Sequence, residues 1–291
     1  MGDNGRTSPS WLDTTAYPFA PRWFDAPDGT MHYLDEGTGN PVVLVHGNPT
    51  WSFQFREVVR RLDGVRAIAP DHLGFGLSDK PRGYSYRPRD QARNLAALLD
   101  SLDLHDVTLV VGDWGGPLGL SWALDHPDRV RSLVITNTWM WSVRRDWYYQ
   151  GFSGFMGGPI GRRLIMRRNF FAGGFLPQVY GDRTKLTPEI HAQYLAPLGT
   201  PDDRVGCARF PREIIASSEW LDSLWRRRGA LPHERVTLAW GMKDKAFRAK
   251  ELDRWQSLFP SARVLRLGDC GHFVAEEHPD VLAAEILAVA R

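Results

Sequence analysis

Val107-Thr-Leu-Val-Val-Gly-Asp-Trp-Gly-Gly-Pro-Leu-Gly-Leu120 decides how the rest of the chain is read. The apolar run Val107 to Val111 has the pattern of a strand buried on both faces. Gly112-Asp113-Trp114-Gly115-Gly116 then predicts a sharp turn, and Pro117 to Asp125 a helix with Pro near its first turn. Strand, glycine-flanked turn and helix are the setting of the nucleophile elbow G-x-S-x-G. Asp113 stands where that motif has Ser. Glycines at 112 and 115 remove the Cβ atoms that would clash in so tight a turn. The elbow lifts one side chain out at the carboxyl end of a strand, where open α/β sheets place their sites. The helix N-terminus behind it favours an anion, so Asp113 is expected to be ionised at neutral pH.

Working outward, strands and helices alternate on both sides of this stretch. Arg22 to Asp25 and Met31 to Asp35 flank the hairpin signal Asp28-Gly29. Pro41 to Val45 reads as a buried strand, Phe53 to Leu62 as a helix and Ala67 to Ala69 as a strand. Pro88 to Leu102 has helical spacing, and Val130 to Thr136 is a further strand. Strands return at Val236 to Trp240 and Ala262 to Leu267, with helices near Ala249 to Phe259 and Pro279 to Ala290. This alternation predicts a mostly parallel, doubly wound α/β sheet. Residues 1–18 are expected to form a loosely held polar arm.

The pattern breaks after the sixth strand. From about Trp139 to Gly229 there is no buried-strand run, but Gly161–Asn169, Pro188–Leu195, Arg209–Ala216 and Ser217–Arg227 have helical period. The expected organisation is a main domain of residues 1–138 and 230–291, with a helical cap, 139–229, over the carboxyl edge of the sheet.

Composition narrows the function classes. The chain has 291 residues, 43% hydrophobic, and a net charge of +2 spread along its length, which argues against a nucleic-acid face. Arginine clusters such as Arg226-Arg227-Arg228 read as polar sides of helices. No apolar run approaches a membrane span. Cys207 and Cys270 are expected to be free thiols, and the polar opening residues lack a signal-peptide core, so a cytoplasmic protein is expected. No metal-ligand spacing or dinucleotide fingerprint stands out, and no cofactor is expected. His46 reads as a loop-holding residue, and His72 as structural or surface.

A nucleophile needs a base, and the base an orienting acid. Asp244 follows the strand ending at Trp240, and His272 follows the last strand. Nucleophile, acid, histidine is the chain order of the α/β-hydrolase fold, and Asp113, Asp244 and His272 form the candidate triad. A carboxylate nucleophile suits displacement of a leaving group from an sp³ carbon. The resulting Asp113 ester would be hydrolysed by water activated by His272, with Asp244 stabilising the imidazolium. The backbone N–H groups of Asn48 and Trp114 are the expected oxyanion-hole donors.

His46-Gly47-Asn48-Pro49-Thr50-Trp51, Asp71 to Ser78, Gly112 to Gly116, Asp244 and Gly271-His272-Phe273 resemble the haloalkane dehalogenases of the α/β-hydrolase superfamily. The resemblance spans most of the chain and is weakest across the cap. It implies conversion of a small hydrophobic halogenated substrate to an alcohol and a halide ion. It also implies halide binding by the side-chain N–H groups of Trp114 and Asn48. Thr136-Asn137-Thr138-Trp139 lacks the acid that some members carry there, which leaves Asp244 and resembles the third subfamily. Trp139, Trp141 and Trp147 are further candidate donors from the cap. Epoxide hydrolases share the Asp nucleophile but use two cap tyrosines, for which Tyr148, Tyr149, Tyr180 and Tyr194 are available. Trp114 argues against fluoroacetate dehalogenases, which usually have Arg there. A non-catalytic, small-ligand-binding protein of the same fold is the remaining class.

Overall fold

The apolar runs become neighbouring strands of one eight-stranded sheet in a computed structural model that describes residues 6–291. The strands are β1 (Arg22–Ala26), β2 (Gly29–Gly37), β3 (Asn40–Val45), β4 (Val65–Pro70), β5 (Val107–Asp113), β6 (Val130–Thr138), β7 (Val236–Gly241) and β8 (Arg263–Leu267). Their spatial order is β1-β2-β4-β3-β5-β6-β7-β8. β1 pairs with β2, and β2 with β4, in antiparallel register; every other pairing is parallel.

Parallel pairing is what assembles the site. It puts the carboxyl ends of β3, β5, β6, β7 and β8 along one edge, so loops distant in sequence become neighbours. β5 lies between β3 and β6, with Val111 opposite Val45 on one side and Ile135 on the other. Val107 to Val111 are all buried, as a strand covered on both faces requires.

Helices α1 (Arg56–Val59), α2 (Pro88–Ser101) and α3 (Gly115–Asp125) alternate with these strands. Between β6 and β7 the described structure has helices and no strand. These are α4 (Trp147–Met156), α5 (Pro159–Arg168), α6 (Pro188–Leu195), α7 (Val205–Ala216) and α8 (Ser218–Arg226). Then α9 (Ala249–Leu258), α10 (Val274–Glu277) and α11 (Pro279–Ala290) complete the chain.

Three expectations need correction. Of the arm expected over residues 1–18, residues 1–5 lie outside the described residues, and residues 6–18 are not loose. The Tyr17 hydroxyl shares a 2.6 Å hydrogen bond with that of Ser52, Trp11 packs edge-on against Trp51, and Gln193 of α6 bonds the backbone of Trp11 and Asp13. Aromatic burial outweighs the polar composition, with Tyr17 only 2% exposed. The helix expected over Phe53 to Leu62 is shorter. A tight 3₁₀ turn, Ser52–Phe55, leads into the single turn of α1, pinned at its start by the Ser52 N–H on Asp71 Oδ1 at 2.7 Å. Helix α4 had no anticipated counterpart, because Gly151 and Gly154 blur its apolar period. Its start is nonetheless marked by Asp146, which accepts the Tyr148 N–H as an N-cap.

Candidate active site

Asp113 ends β5 with φ of 49°, in the left-handed region. For a non-glycine residue that conformation costs about 1–3 kcal/mol, which the surrounding packing must offset. The packing is close. A Cβ on Gly115 would come within 2.0 Å of the Val45 carbonyl oxygen, and one on Gly47 within 2.2 Å of Asp113 Oδ1. Both glycines thus let backbone and carboxylate approach where a side chain would intrude.

The Asp113 carboxylate accepts the Asn48 N–H at 2.7 Å, and the Trp114 N–H also favours its charged form. Burial nevertheless dominates and raises the Asp113 pKa above its ordinary 3.8, with the charge of His272 and the two N–H groups opposing. The helix terminus therefore does not depress the pKa as its position alone suggests; removal from water is the larger effect.

His272 follows β8, its ring Nε2 3.6 Å from Asp113 Oδ2 and its Nδ1 2.8 Å from Asp244 Oδ2. Asp244, after β7, also accepts the Ala246 N–H on Oδ1 and the Asn137 amide on Oδ2. An acceptor-only carboxylate makes Nδ1 the protonated nitrogen, leaving Nε2 with a lone pair facing Asp113. Burial lowers the His272 pKa, but Asp244 and Asp113 together outweigh it, so the net shift is upward from 6.5. Phe247 stacks on the imidazole at 5.6 Å, and Trp139 on Phe247 at 5.0 Å.

These groups open on a chamber of about 170 Å³. Its polar floor is Asn48, Asp113, Trp114 and His272; its walls include Tyr148, Tyr149, Phe152, Phe171, Phe175 and Ile214 from the helical segment. The Trp114 indole N–H lines this chamber without a hydrogen-bond partner among the described residues. Asn48 Nδ2 reaches the Cys207 carbonyl at 3.4 Å, which orients the amide and leaves its second N–H unused. The structure thus brings Asn48, Asp113, Trp114 and His272 to one end of one chamber, with Asp244 behind His272 and bonded to its Nδ1.

The other candidate donors are placed differently. Trp147 is 79% exposed on the outer surface, and Trp141 is packed between Trp225 and Trp255. Trp139 lines the chamber, but its N–H is sealed from solvent and unpartnered, with the ring edge-on to Trp114. The Tyr148 and Tyr149 hydroxyls are donated to the Lys245 and Ala246 carbonyls at 2.6 and 2.8 Å, and Tyr194 to Glu276. The unpartnered Tyr180 hydroxyl is not on the chamber wall. His46 and His72 are buried and bonded to each other's backbone; burial lowers the His46 pKa to about 4. Among the described residues, no group of three or more His, Cys, Asp or Glu is placed to hold a metal.

Asn137 is a contributor that sequence reasoning passed over. In the sequence it shows only the absence of an acid, yet its Nδ2 bonds Asp244 Oδ2 at 2.9 Å and the Gly241 carbonyl at 3.1 Å, while its Oδ1 accepts the Gly241 N–H. Its signal, an amide ending a strand beside that of Asp244, needs the sheet order to be legible.

Residues 40–160 and 181–279 match the family model of the α/β-hydrolase fold. The chain is 40% identical to haloalkane dehalogenase 2 of Mycobacterium tuberculosis, over 94% of this chain and 96% of that protein. It belongs to the haloalkane dehalogenase family. Haloalkane dehalogenase DbeA from Bradyrhizobium elkani superposes with a TM-score of 0.84 at 28% identity, over 93% of this chain and 98% of that one. A cis-3-alkyl-4-alkyloxetan-2-one decarboxylase of Shewanella oneidensis is also similar, 32% identical over 94% of this chain and 88% of its own length. Family members are hydrolases acting on carbon–halide bonds, and the positions of Asp113 and Trp114 suit that chemistry. No helix among the described residues is long and apolar enough to cross a membrane.

Proposed function

We propose that this protein is a hydrolytic haloalkane dehalogenase that works through an alkyl ester on Asp113. The single observation that carries the reading is a buried carboxylate facing an apolar chamber whose unpartnered Trp114 N–H stands beside it. The Asp113 oxygen attacks the halogen-bearing carbon, and the carbon–halogen bond breaks. The halide leaves toward the Trp114 indole and Asn48 amide, neutral donors that suit a large, weakly basic anion.

Esterification removes the negative charge of Asp113, one of the groups that raise the His272 pKa. His272 becomes a readier neutral base at the step that needs one. Water then adds to Cγ of the ester and gives its proton to Nε2. The oxyanion forms beside the Asn48 and Trp114 N–H groups. Collapse expels the alkoxide, which takes the proton back and leaves as the alcohol, and the new Asp113 carboxyl group ionises. Asp244, steadied by Asn137, holds the imidazolium.

Residues 139–229 act as the cap that excludes water and shapes the chamber. Epoxide opening is disfavoured because the chamber's two tyrosine hydroxyls are already donated to backbone carbonyls. Two buried, unpaired cysteines fit a reducing compartment, the cytoplasm. The test is halide release across haloalkanes of increasing length. Epoxides and a cis-dialkyl oxetanone are assayed alongside, for diol and carbon dioxide. Halide release that saturates with substrate is expected. Turnover of the oxetanone with no haloalkane activity would move the protein to the decarboxylases' chemistry, and diol formation to that of epoxide hydrolases.

A further inference from the structure

A second, smaller cavity of about 20 Å³ meets the catalytic groups from the sheet side. It shares Asp113, His272 and Phe273 with the large chamber, and is otherwise lined by different residues, among them Gln54, Phe55, Thr136 and Ala275. One water needs a cavity of roughly 10–15 Å³ and two to four polar partners. The lining offers a carboxylate, an imidazole, the Thr136 hydroxyl and the Gln54 amide.

Gln54 is the unexplained member. It is only 8% exposed, in the 3₁₀ turn that follows the Asn48 loop. Its neighbours there are apolar: Phe53 and Phe55 are both buried. Its backbone N–H bonds the Trp51 carbonyl, but its side-chain amide has no hydrogen-bond partner among the described residues. A largely buried primary amide without a protein partner needs water to bond, and Gln54 lines a cavity in which one water fits.

The proposed reaction supplies that group. Once Asp113 carries an alkyl chain, the chain fills the large chamber and blocks attack from there. Water must reach Cγ from another direction and lie within reach of His272 Nε2. The 3.6 Å between Nε2 and Asp113 Oδ2 is too long for a direct hydrogen bond. We propose that Gln54 holds the hydrolytic water in this cavity, between His272 and Asp113 and apart from the substrate. Resting on the dehalogenase reading, this gives Gln54 a role in the second half of the reaction only. The amide oxygen or N–H orients the water, His272 takes its proton, and its oxygen bonds to Cγ.

Rapid-quench measurements with n-butyl bromide separate the halves, bromide reporting alkylation and butanol reporting hydrolysis. In Gln54→Met, similar in length but without the amide, the bromide burst should stay within about twofold. Butanol formation should slow about tenfold, the scale of one hydrogen bond lost at the barrier. Intact-protein mass spectra should then show accumulated butyl-enzyme. Ala275→Val, which narrows the cavity with Gln54 in place, should give the same accumulation and decides the matter if Gln54→Met does not fold. Wild-type partition between the two steps in the folded variants, or equal slowing of both, would overturn the assignment. If the wild-type protein itself releases no bromide and gains no butyl adduct, the dehalogenase reading has failed and this inference falls with it. A wild-type enzyme that turns over while Gln54→Met does so unchanged refutes this inference alone.

Discussion

Polar atoms at the carboxyl edge of the sheet are held largely by backbone groups. Across the chamber, from residue 148 to residue 214, the wall is mostly aromatic and aliphatic side chains held by one another. Asp113 is fixed by the Asn48 N–H, and Asp244 by the Ala246 N–H and the Asn137 amide. Opposite them, Phe152, Phe171 and Phe175 form a cluster with ring centroids 5.0–6.4 Å apart. Hydrogen bonds to the backbone fix position within tenths of an ångström. Ring contacts fix volume, and tolerate a change of shape at a smaller cost. Damage at the edge should therefore abolish individual chemical steps, whereas damage at the wall should redistribute substrates.

The most severe test of that division removes the nucleophile. Asp113→Ala should lower turnover at least on the order of 10⁴-fold and leave no alkyl adduct in intact-protein mass spectra. Residual turnover near wild type would show that the edge does not carry the chemistry. Loss of the base comes next. His272→Phe should retain alkylation but lose roughly 10²–10⁴-fold in ester hydrolysis, so that a stable adduct accumulates. In the wild-type protein the same base gives a pH signature. The shift of His272 is upward from 6.5, and only the neutral form accepts a proton. Hydrolysis of the ester should therefore rise with pH. Its midpoint in single-turnover assays should lie below the resting His272 pKa, because the ester lacks the charge of Asp113.

A third test falls on the leaving-group donors. Trp114→Phe keeps the ring but deletes the N–H, and should slow halide release by about 10²-fold, by analogy with oxyanion-hole donors. Halide affinity, followed by tryptophan fluorescence quenching, should weaken in parallel. An unchanged affinity would place the halide elsewhere in the chamber.

The smallest effect is expected at the wall. Phe175→Leu enlarges the chamber without touching a polar group, and should change kcat/KM for longer against shorter haloalkanes by roughly tenfold or less. A fall of the same size for every chain length would mean that the wall also positions the edge, and the division would not hold.

Much of the edge is legible because its signals are local. The strand run before Asp113 and the glycines around it name the elbow, while Asp244 and His272 stand directly after apolar runs. The wall is less legible. Helix α4, which supplies Tyr148, Tyr149 and Phe152, has no clear period in the sequence, since glycines interrupt it. Trp139, Trp141 and Trp147 look equivalent in sequence, yet one lines the chamber, one is packed in a tryptophan cluster and one faces solvent.

By itself, then, the sequence determined the alternation of strands and helices, the elbow, the order of the candidate triad and the family. Each of these rests on spacing within a few residues or on order along the chain. Tertiary structure alone decided the place of Asn137 beside Asp244, the occupied tyrosine hydroxyls, the chamber of about 170 Å³ and the small cavity beside Gln54. It also decided the upward shift of Asp113, where burial outweighs the helix terminus. Those features depend on atoms brought together from distant parts of the chain, such as Gln54 and His272, 218 positions apart. No local pattern encodes them, because cavity shape and desolvation are set by how whole layers pack.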